Sequence, residues 1–173
     1  MEAAREVAMF HTASGLSVAI SLLFVTVTSS PVDAAPKTPE ARLLERALKL
    51  LPEPPTVPVR MIDPDLAADP DALRRLDAFL VREANGKVRP VIYLNRRAAI
   101  VENAMTGKDV DVAILAAVIR HELEHLRGGG EREARQAERV LFQRLIFVGE
   151  VPVAEGLAYL SDLEQDRQIR ERR

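Results

Sequence analysis

The pattern of apolar and polar positions along the chain predicts helices that alternate with short strands. Apolar residues recur every three to four positions from Thr38 to Leu51 (TPEARLLERALKLL), which predicts a helix with Thr38 as its N-cap and Pro39 at its first position. The stretch Val57 to Ile62 (VPVRMI) alternates as a short strand does, and Pro58 places it at an edge or near the start of the strand.

A second helix is predicted from Asp69-Pro70 to the turn at Asn85-Gly86. Its apolar positions repeat at helical spacing: Leu73, Leu76 and Leu80.

The strongest strand signal in the chain follows this turn, from Val88 to Leu94 (VRPVIYL). Pro90 indicates an edge strand, because proline cannot donate to a neighbouring strand. Asn95 is expected to cap a helix that runs to about Met105 and is closed by Gly107.

The next helix is apolar in its first half and polar in its last two turns. Every residue from Val112 to Ile119 is apolar, which is typical of a helix buried on nearly all sides. Asp109 is its expected N-cap, and Gly128-Gly129-Gly130 ends it. Helical spacing predicts a buried stripe and a face that meets solvent: Val112, Leu115, Ile119, Leu123 and Leu126 in the stripe, and Ala113, Ala117, Arg120, Glu124 and Arg127 on the face.

The polar end of this helix carries the sequence His121-Glu122-Leu123-Glu124-His125. Residues four apart lie on the same face of a helix, so two imidazoles at this spacing can reach one ion. Zinc hydrolysis requires neutral nitrogen ligands, an open coordination position for water, and a carboxylate that takes the proton of that water. The motif therefore predicts His121 and His125 as metal ligands and Glu122 as the catalytic base, and the alternative is a solvated, charged helix end.

The composition narrows the chemistry that is available. A chain of 173 residues with ordinary apolar and charged fractions predicts one modest globular domain, with or without an appendage. The formal net charge of -2 and the lack of a basic stripe give no support to a nucleic-acid partner. The sequence contains no cysteine, which leaves histidine and carboxylate side chains as the metal ligands.

An uncharged apolar run, Ala13 to Ser30, lies near the start of the sequence. Small residues follow it, which predicts an export signal within residues 1–34 that is cleaved near Ala34 and Ala35, or alternatively a membrane anchor. The protein is then expected in the periplasm or outside the cell. Residues 35–56 are expected to form a helix and a Pro-rich linker, and residues 57–173 the metal-binding domain.

A small mixed sheet followed by a helix with the H-E-x-x-H motif resembles the zincin metallopeptidases, over roughly Val57 to Phe147. The resemblance implies an α+β fold, mostly helical, in which the motif helix is central and packs against the helix that follows. It also implies a bound zinc ion and an edge strand above the motif helix, which pairs with an extended peptide substrate.

Two histidines need at least one further protein ligand to hold zinc. The stretch Glu131 to Val148 (EREARQAERVLFQRLIFV) predicts a helix that folds back against the motif helix. Its expected inner stripe contains two carboxylates: Glu131, Ala134, Glu138, Leu141, Leu145 and Val148. Glu133 falls on another side of this helix and is not expected to bind metal.

Two resemblances favour Glu131 as the third ligand. Glu131 follows His125 at the H-x-x-G-x-x-ligand spacing of metzincins, with Glu in place of their third His. The sequence Glu131-Arg132-Glu133-Ala134 also resembles the E-x-E-A segment of gluzincins, whose first Glu binds the metal. Arg135 departs from that pattern, since many gluzincins have Asp or Asn there.

Two alternatives for the third ligand stay open. Glu138 is level with the two histidines in a helical hairpin, or else accepts a hydrogen bond from one imidazole. Glu155, in Glu155-Gly156-Leu157-Ala158, resembles the ligand Glu in the E-G-x-A segment of aminopeptidase-like gluzincins. Otherwise Glu155 simply favours the start of a last helix, Val153 to Arg173.

The expected function is a zinc-dependent hydrolase, a small exported peptidase acting on peptide or protein substrates. The alternative is a non-catalytic zinc-binding domain of zincin type that binds a protein partner at the cell envelope. Tyr93 and Tyr159, the two tyrosines of the chain, are candidates for stabilising the reacting oxyanion, or are packing residues.

Overall fold

The residues that the structure describes form six α-helices and a small mixed sheet, so the protein is α+β, as the sequence predicts. The computed structural model describes residues 7–9, 18–20, 38–66 and 69–171. The helices, in chain order, are α1 (Pro39–Lys49), α2 (Pro70–Arg74), α3 (Ala99–Thr106), α4 (Asp109–Leu126), α5 (Glu131–Phe147) and α6 (Val153–Glu171). Among the helices described, none combines the length and the apolar character needed to cross a bilayer.

The sheet is built around β5 (Val88–Asn95). This strand pairs antiparallel with β4 (Ala78–Glu83) and parallel with β3 (Val59–Ile62), which is an edge strand. Two three-residue strands, β1 (Val7–Met9) and β2 (Val18–Ile20), continue the sheet beyond β4 in the order β2-β1-β4-β5-β3.

Most of the predicted export segment, Ala13 to Ser30, lies outside the described residues, and so does the expected cleavage position near Ala34 and Ala35. Export of the protein therefore stays a prediction.

α1 is the helix that the sequence predicts most closely. The Thr38 side chain accepts a hydrogen bond from the Ala41 backbone N–H at 3.2 Å, and Pro39 is the first helical residue. The strand predicted at Val57 begins at Val59, immediately after Pro58. Pro39 at the first position of α1 and Pro58 just before β3 thus lie where the missing N–H of proline costs no hydrogen bond.

The predicted second helix is wrong in its second half. α2 ends at Arg74, and Leu80 lies in β4. Leu80 continues the helical spacing of the preceding leucines, but its neighbours Phe79 and Val81 favour strands. The turn before β5 contains Gly86 at φ 82°, and it lets β4 pair with β5. This pairing overrides the helical period.

Pro90 does not place β5 at an edge, because β5 lies between β3 and β4. The pairing of β5 with β4 shifts register between Leu80 and Arg82, opposite the segment that contains Pro90. The pairing with β3 involves β5 only from Ile92 onward. Proline is therefore tolerated inside this sheet, since it occupies the stretch where the ladder of hydrogen bonds is interrupted.

Two predicted N-caps are also wrong. The side-chain amide of Asn95 is buried and donates to the carbonyls of Leu73 at 3.1 Å and Leu76 at 3.0 Å, so it ties the end of β5 to α2 and to the loop that follows α2. Asp109 is the first residue of α4, and Lys108 occupies the N-cap position.

α4 is the central helix of the molecule, and it contacts α1, α3, α5 and the sheet. The predicted stripe on α4 is confirmed from Val112 to Leu123. The expectation that Ala113 and Ala117 meet solvent is wrong, since both are fully buried. Neighbours cover most of α4 up to Ile119, and the partly accessible line through Ile114 and Val118 continues to His121 and His125.

The inner stripe of α5 is confirmed at Ala134, Glu138, Leu141 and Leu145, all of which are buried. Val148 is exposed instead, because α5 ends at Phe147 and the chain turns away from the core.

Candidate metal centre

The corner between α4 and α5 brings the motif residues together. Gly128 has a φ of 93°, which lets the chain reverse direction at the end of α4. A Cβ at Gly129 would lie 2.8 Å from Cγ of Glu124, so the reversal is tight enough to require glycine. As a result Glu131, the first residue of α5, lies beside His121 and His125.

Three possible ligand atoms converge at this corner. Nε2 of His121 and Nε2 of His125 are 3.1 Å apart. Oε2 of Glu131 lies 3.6 Å from the first nitrogen and 3.5 Å from the second. A triangle of this size has a point about 2.0 Å from all three atoms, which is the distance at which zinc binds imidazole nitrogen and carboxylate oxygen.

Hydrogen bonds on the far side of each ring fix the orientation of the histidines. Nδ1 of His121 lies 3.0 Å from Oε2 of Glu138, and Nδ1 of His125 lies 3.0 Å from the carbonyl oxygen of Gly129. Both partners accept hydrogen bonds, so each neutral imidazole keeps its proton on Nδ1. The Nε2 lone pairs are then available at the point between the rings, as ligation requires.

Glu138 lies behind His121 rather than between the two rings. Its side chain is 7% exposed, and its Oε1 accepts a hydrogen bond from the Tyr159 hydroxyl at 2.6 Å. Because Oε2 accepts from Nδ1 of His121, both carboxylate oxygens are already engaged away from Nε2. Of the two roles that the sequence left open for Glu138, this geometry corresponds to the acceptor that holds an imidazole.

Arg135 orients Glu131. Its Nε donates to Oε1 of Glu131 at 2.7 Å, across one turn of α5, and both side chains are largely buried. Oε2 of Glu131 is the oxygen on the side of the histidines. The residue that departs from the gluzincin pattern therefore holds the carboxylate in place, a role that the sequence pattern did not indicate.

The other acidic candidates lie elsewhere. Glu155 is exposed in the first turn of α6 and does not belong to the group of converging atoms. Glu133 is exposed, accepts hydrogen bonds from Arg132 and does not belong to the group of converging atoms.

Glu122 lies next to the cluster and is affected by its charges. Burial raises the pKa of the Glu122 carboxyl, the nearby histidines oppose this rise, and the charges of Glu131 and Glu138 add to it. Within the part of the chain that the structure describes, no hydrogen bond or ion pair engages this carboxylate. A carboxyl with a raised pKa that no such contact engages is suited to accept and return a proton.

The carboxylates make this corner favourable for positive charge. Burial lowers the pKa of His121, but the hydrogen bonds to Glu131 and Glu138 outweigh it and raise the pKa to about 9. The pKa of His125 is also raised, chiefly by its interaction with Glu131. Protons and metal cations therefore compete for the same two nitrogens, and a metal ion would displace protons on binding.

The two tyrosines differ in position. Tyr93 is buried and stacks on Phe79 with ring centroids 5.5 Å apart, so it is a packing residue. Tyr159 lies on α6 and reaches the site through its hydrogen bond to Glu138. The sequence offers Tyr159 as a candidate for stabilising the reacting oxyanion, but it does not indicate the hydrogen bond to Glu138. No sequence pattern relates positions on α6 to positions on α5.

Comparison of the chain with protein-family models, with curated proteins and with solved structures finds no match. The functional argument therefore rests on the geometry of the α4–α5 corner.

Proposed function

We propose that His121, His125 and Glu131 bind one zinc ion and that the protein is a zinc-dependent hydrolase. The observation that carries the proposal is the convergence of two Nε2 atoms and one Oε2 atom on a point about 2.0 Å from each. The orienting contacts of Glu138 and Arg135 add support, because metal ligands are commonly held by such outer hydrogen bonds.

The ligand count favours a catalytic site over a structural one. Structural zinc sites use four protein ligands, whereas catalytic sites use three and leave a position open for water or substrate. Among the described residues three ligand atoms converge, and their side chains, though largely buried, keep a small exposed part: 13% for His121, 15% for His125 and 28% for Glu131. Zinc held by His121, His125 and Glu131 would supply a lowered pKa for water and polarisation of a carbonyl group.

Glu122 then acts as the proton-transfer group. Its pKa is raised toward neutral pH. A carboxyl whose pKa lies nearer the working pH can both take a proton from the attacking water and return it to the leaving group. Peptide bonds are the proposed substrate, with the amine as leaving group. This choice of substrate rests on the resemblance of the motif to zincins, and the geometry supports hydrolysis in general.

The substitution Glu122→Gln tests the catalytic proposal. We expect wild type and variant each to bind one equivalent of zinc, while cleavage of a peptide library falls by at least about a hundredfold in the variant. Elemental analysis and mass spectrometry of the products give the two readouts. The matched control is Glu124→Gln, because Glu124 lies on the same helix and pairs with Arg120 at 2.9 Å; it should cleave at the wild-type rate.

Equal cleavage by wild type and Glu122→Gln would remove Glu122 from the mechanism. Zinc-loaded wild type that cleaves no peptide would leave the alternative, a zinc-binding domain without hydrolytic activity. Purified wild type that takes up no zinc would overturn the whole proposal.

A further inference from the structure

We infer that Tyr159, on the last helix, is a positioning residue of the metal site that fixes His121 through Glu138. The inference rests on the proposed metal site, and it adds α6 to the elements that build that site. Tyr159 itself does not touch the point where the three ligand atoms converge.

Close packing of α6 on α5 brings Tyr159 to the site. A Cβ at Gly156 would overlap the side chain of Ile146, so glycine lets the first turns of α6 approach α5. Tyr159 follows three residues later on the same side of α6, and its ring lies 4.3 Å from that of Phe142. An ion pair between Arg139 and Glu164 joins the same two helices further along.

The hydrogen bonds form a directed chain. The Tyr159 hydroxyl donates to Oε1 of Glu138, because an ionised carboxylate only accepts. Nδ1–H of His121 donates to Oε2 of the same carboxylate. Rotation of the Glu138 carboxylate would break one of the two bonds, so the two donors together fix its plane.

Burial strengthens the two hydrogen bonds to the Glu138 carboxylate. Glu138 is buried, and hydrogen bonds are electrostatically stronger in a low-dielectric interior than in water. Burial and the charge of Glu138 both raise the pKa of Tyr159, so its hydroxyl keeps its proton and remains a donor at physiological pH. A fixed carboxylate in turn holds the His121 ring with Nε2 toward the other ligand atoms.

The test is the substitution Tyr159→Phe, which keeps the ring against Phe142 and removes the hydroxyl. We expect zinc affinity, measured by competition with a chromophoric chelator, to fall by about tenfold. This is the smaller end of the loss in affinity seen when a residue that hydrogen-bonds to a metal ligand is removed. In ¹H–¹⁵N NMR spectra of the zinc-free protein, the Nδ1–H signal of His121 should shift or broaden, since its acceptor is no longer fixed.

Tyr93→Phe is the matched control, because it is the same substitution at the other tyrosine, which stacks on Phe79 away from the site. It should leave both readouts unchanged. A folded Tyr159→Phe protein with wild-type zinc affinity and an unmoved Nδ1–H signal would overturn the inference.

The wild-type NMR spectrum keeps the inference falsifiable even if Tyr159→Phe does not fold. Above the His121 pKa of about 9, where the zinc-free ring is neutral, a proton on Nε2 instead of Nδ1 would contradict the hydrogen-bond chain directly. The NMR readout does not require zinc, so failure of wild type to bind zinc would overturn the proposed function and would be distinguishable from failure of the chain.

Discussion

The two halves of α4 differ in the forces that hold them. Leu115 and Ile119 in the first half are fully buried among apolar neighbours. His121 and His125 in the second half are held by directional contacts with Glu138 and with the Gly129 carbonyl. Apolar burial is non-directional and fixes where the helix lies, whereas hydrogen bonds fix which way each ring faces.

This difference shows how a short motif becomes a precise site. The first half of α4 anchors the helix among α1, α3, α5 and the sheet. Ligand side chains on a rigid element can be held within fractions of an ångström by a few polar partners. The apolar half of α4 therefore carries stability and the polar half carries the proposed metal site, and substitutions should separate the two.

The largest expected effect is on the polar half. Glu131→Gln replaces the proposed anionic ligand by a neutral amide of similar size. We therefore expect zinc affinity to fall by more than about a hundredfold, which exceeds the loss caused by removing a residue that only hydrogen-bonds to a ligand. Elemental analysis and chelator competition give the measurement. Glu155→Gln, exposed on α6, is the control and should bind one equivalent. Full zinc binding by Glu131→Gln together with loss in Glu138→Gln would instead make Glu138 the ligand.

A substitution in the apolar half of α4 should lower the stability of the fold and leave zinc binding unchanged. Leu115→Ala leaves a cavity at a fully buried position, which should lower the free energy of unfolding by about 3 kcal/mol in urea titrations. The folded variant should still bind one zinc. Leu157→Ala, at an exposed leucine of α6, should change stability by less than about 0.5 kcal/mol. Loss of zinc from folded Leu115→Ala would show that the two halves are coupled.

The smallest of the three effects concerns pH. The pKa of His121 is about 9 in the folded protein and about 6.5 when unfolded, so protonated His121 stabilises the fold. This contribution is full below pH 6.5 and is lost as pH rises to 9. In excess chelator we therefore expect the free energy of unfolding to fall across this range, by on the order of 2 kcal/mol.

His125 adds to this trend in the same direction, because its pKa is also raised. With saturating zinc the trend should reverse, since protons compete with the ion. The variant His121→Gln should show a flatter pH profile in chelator, and an unchanged slope in this variant would assign the effect to other groups.

Local signals in the sequence predicted most elements correctly. Capping at Thr38 sets the start of α1, and Gly107 ends α3 in the left-handed conformation that glycine adopts readily. β4 was missed because Leu80 fits a helical period as well as a strand, and the pairing with β5 that decides between them is not a local property. The burial of Ala113 and Ala117 likewise depends on which neighbours cover α4.

At the site, the sequence by itself determined the pair His121 and His125, because residues four apart on a helix must share a face. It also placed Glu131 and Glu138 on one stripe of α5, since helical periodicity specifies a face. Only the tertiary structure decided their separate roles. The tight reversal at the glycines sets the height of α5 against α4, so Glu131 meets the Nε2 atoms and Glu138, two turns later, meets Nδ1 of His121. Helical periodicity specifies which residues share one face of a helix. Packing across the α4–α5 corner decides which residues of the two helices lie side by side.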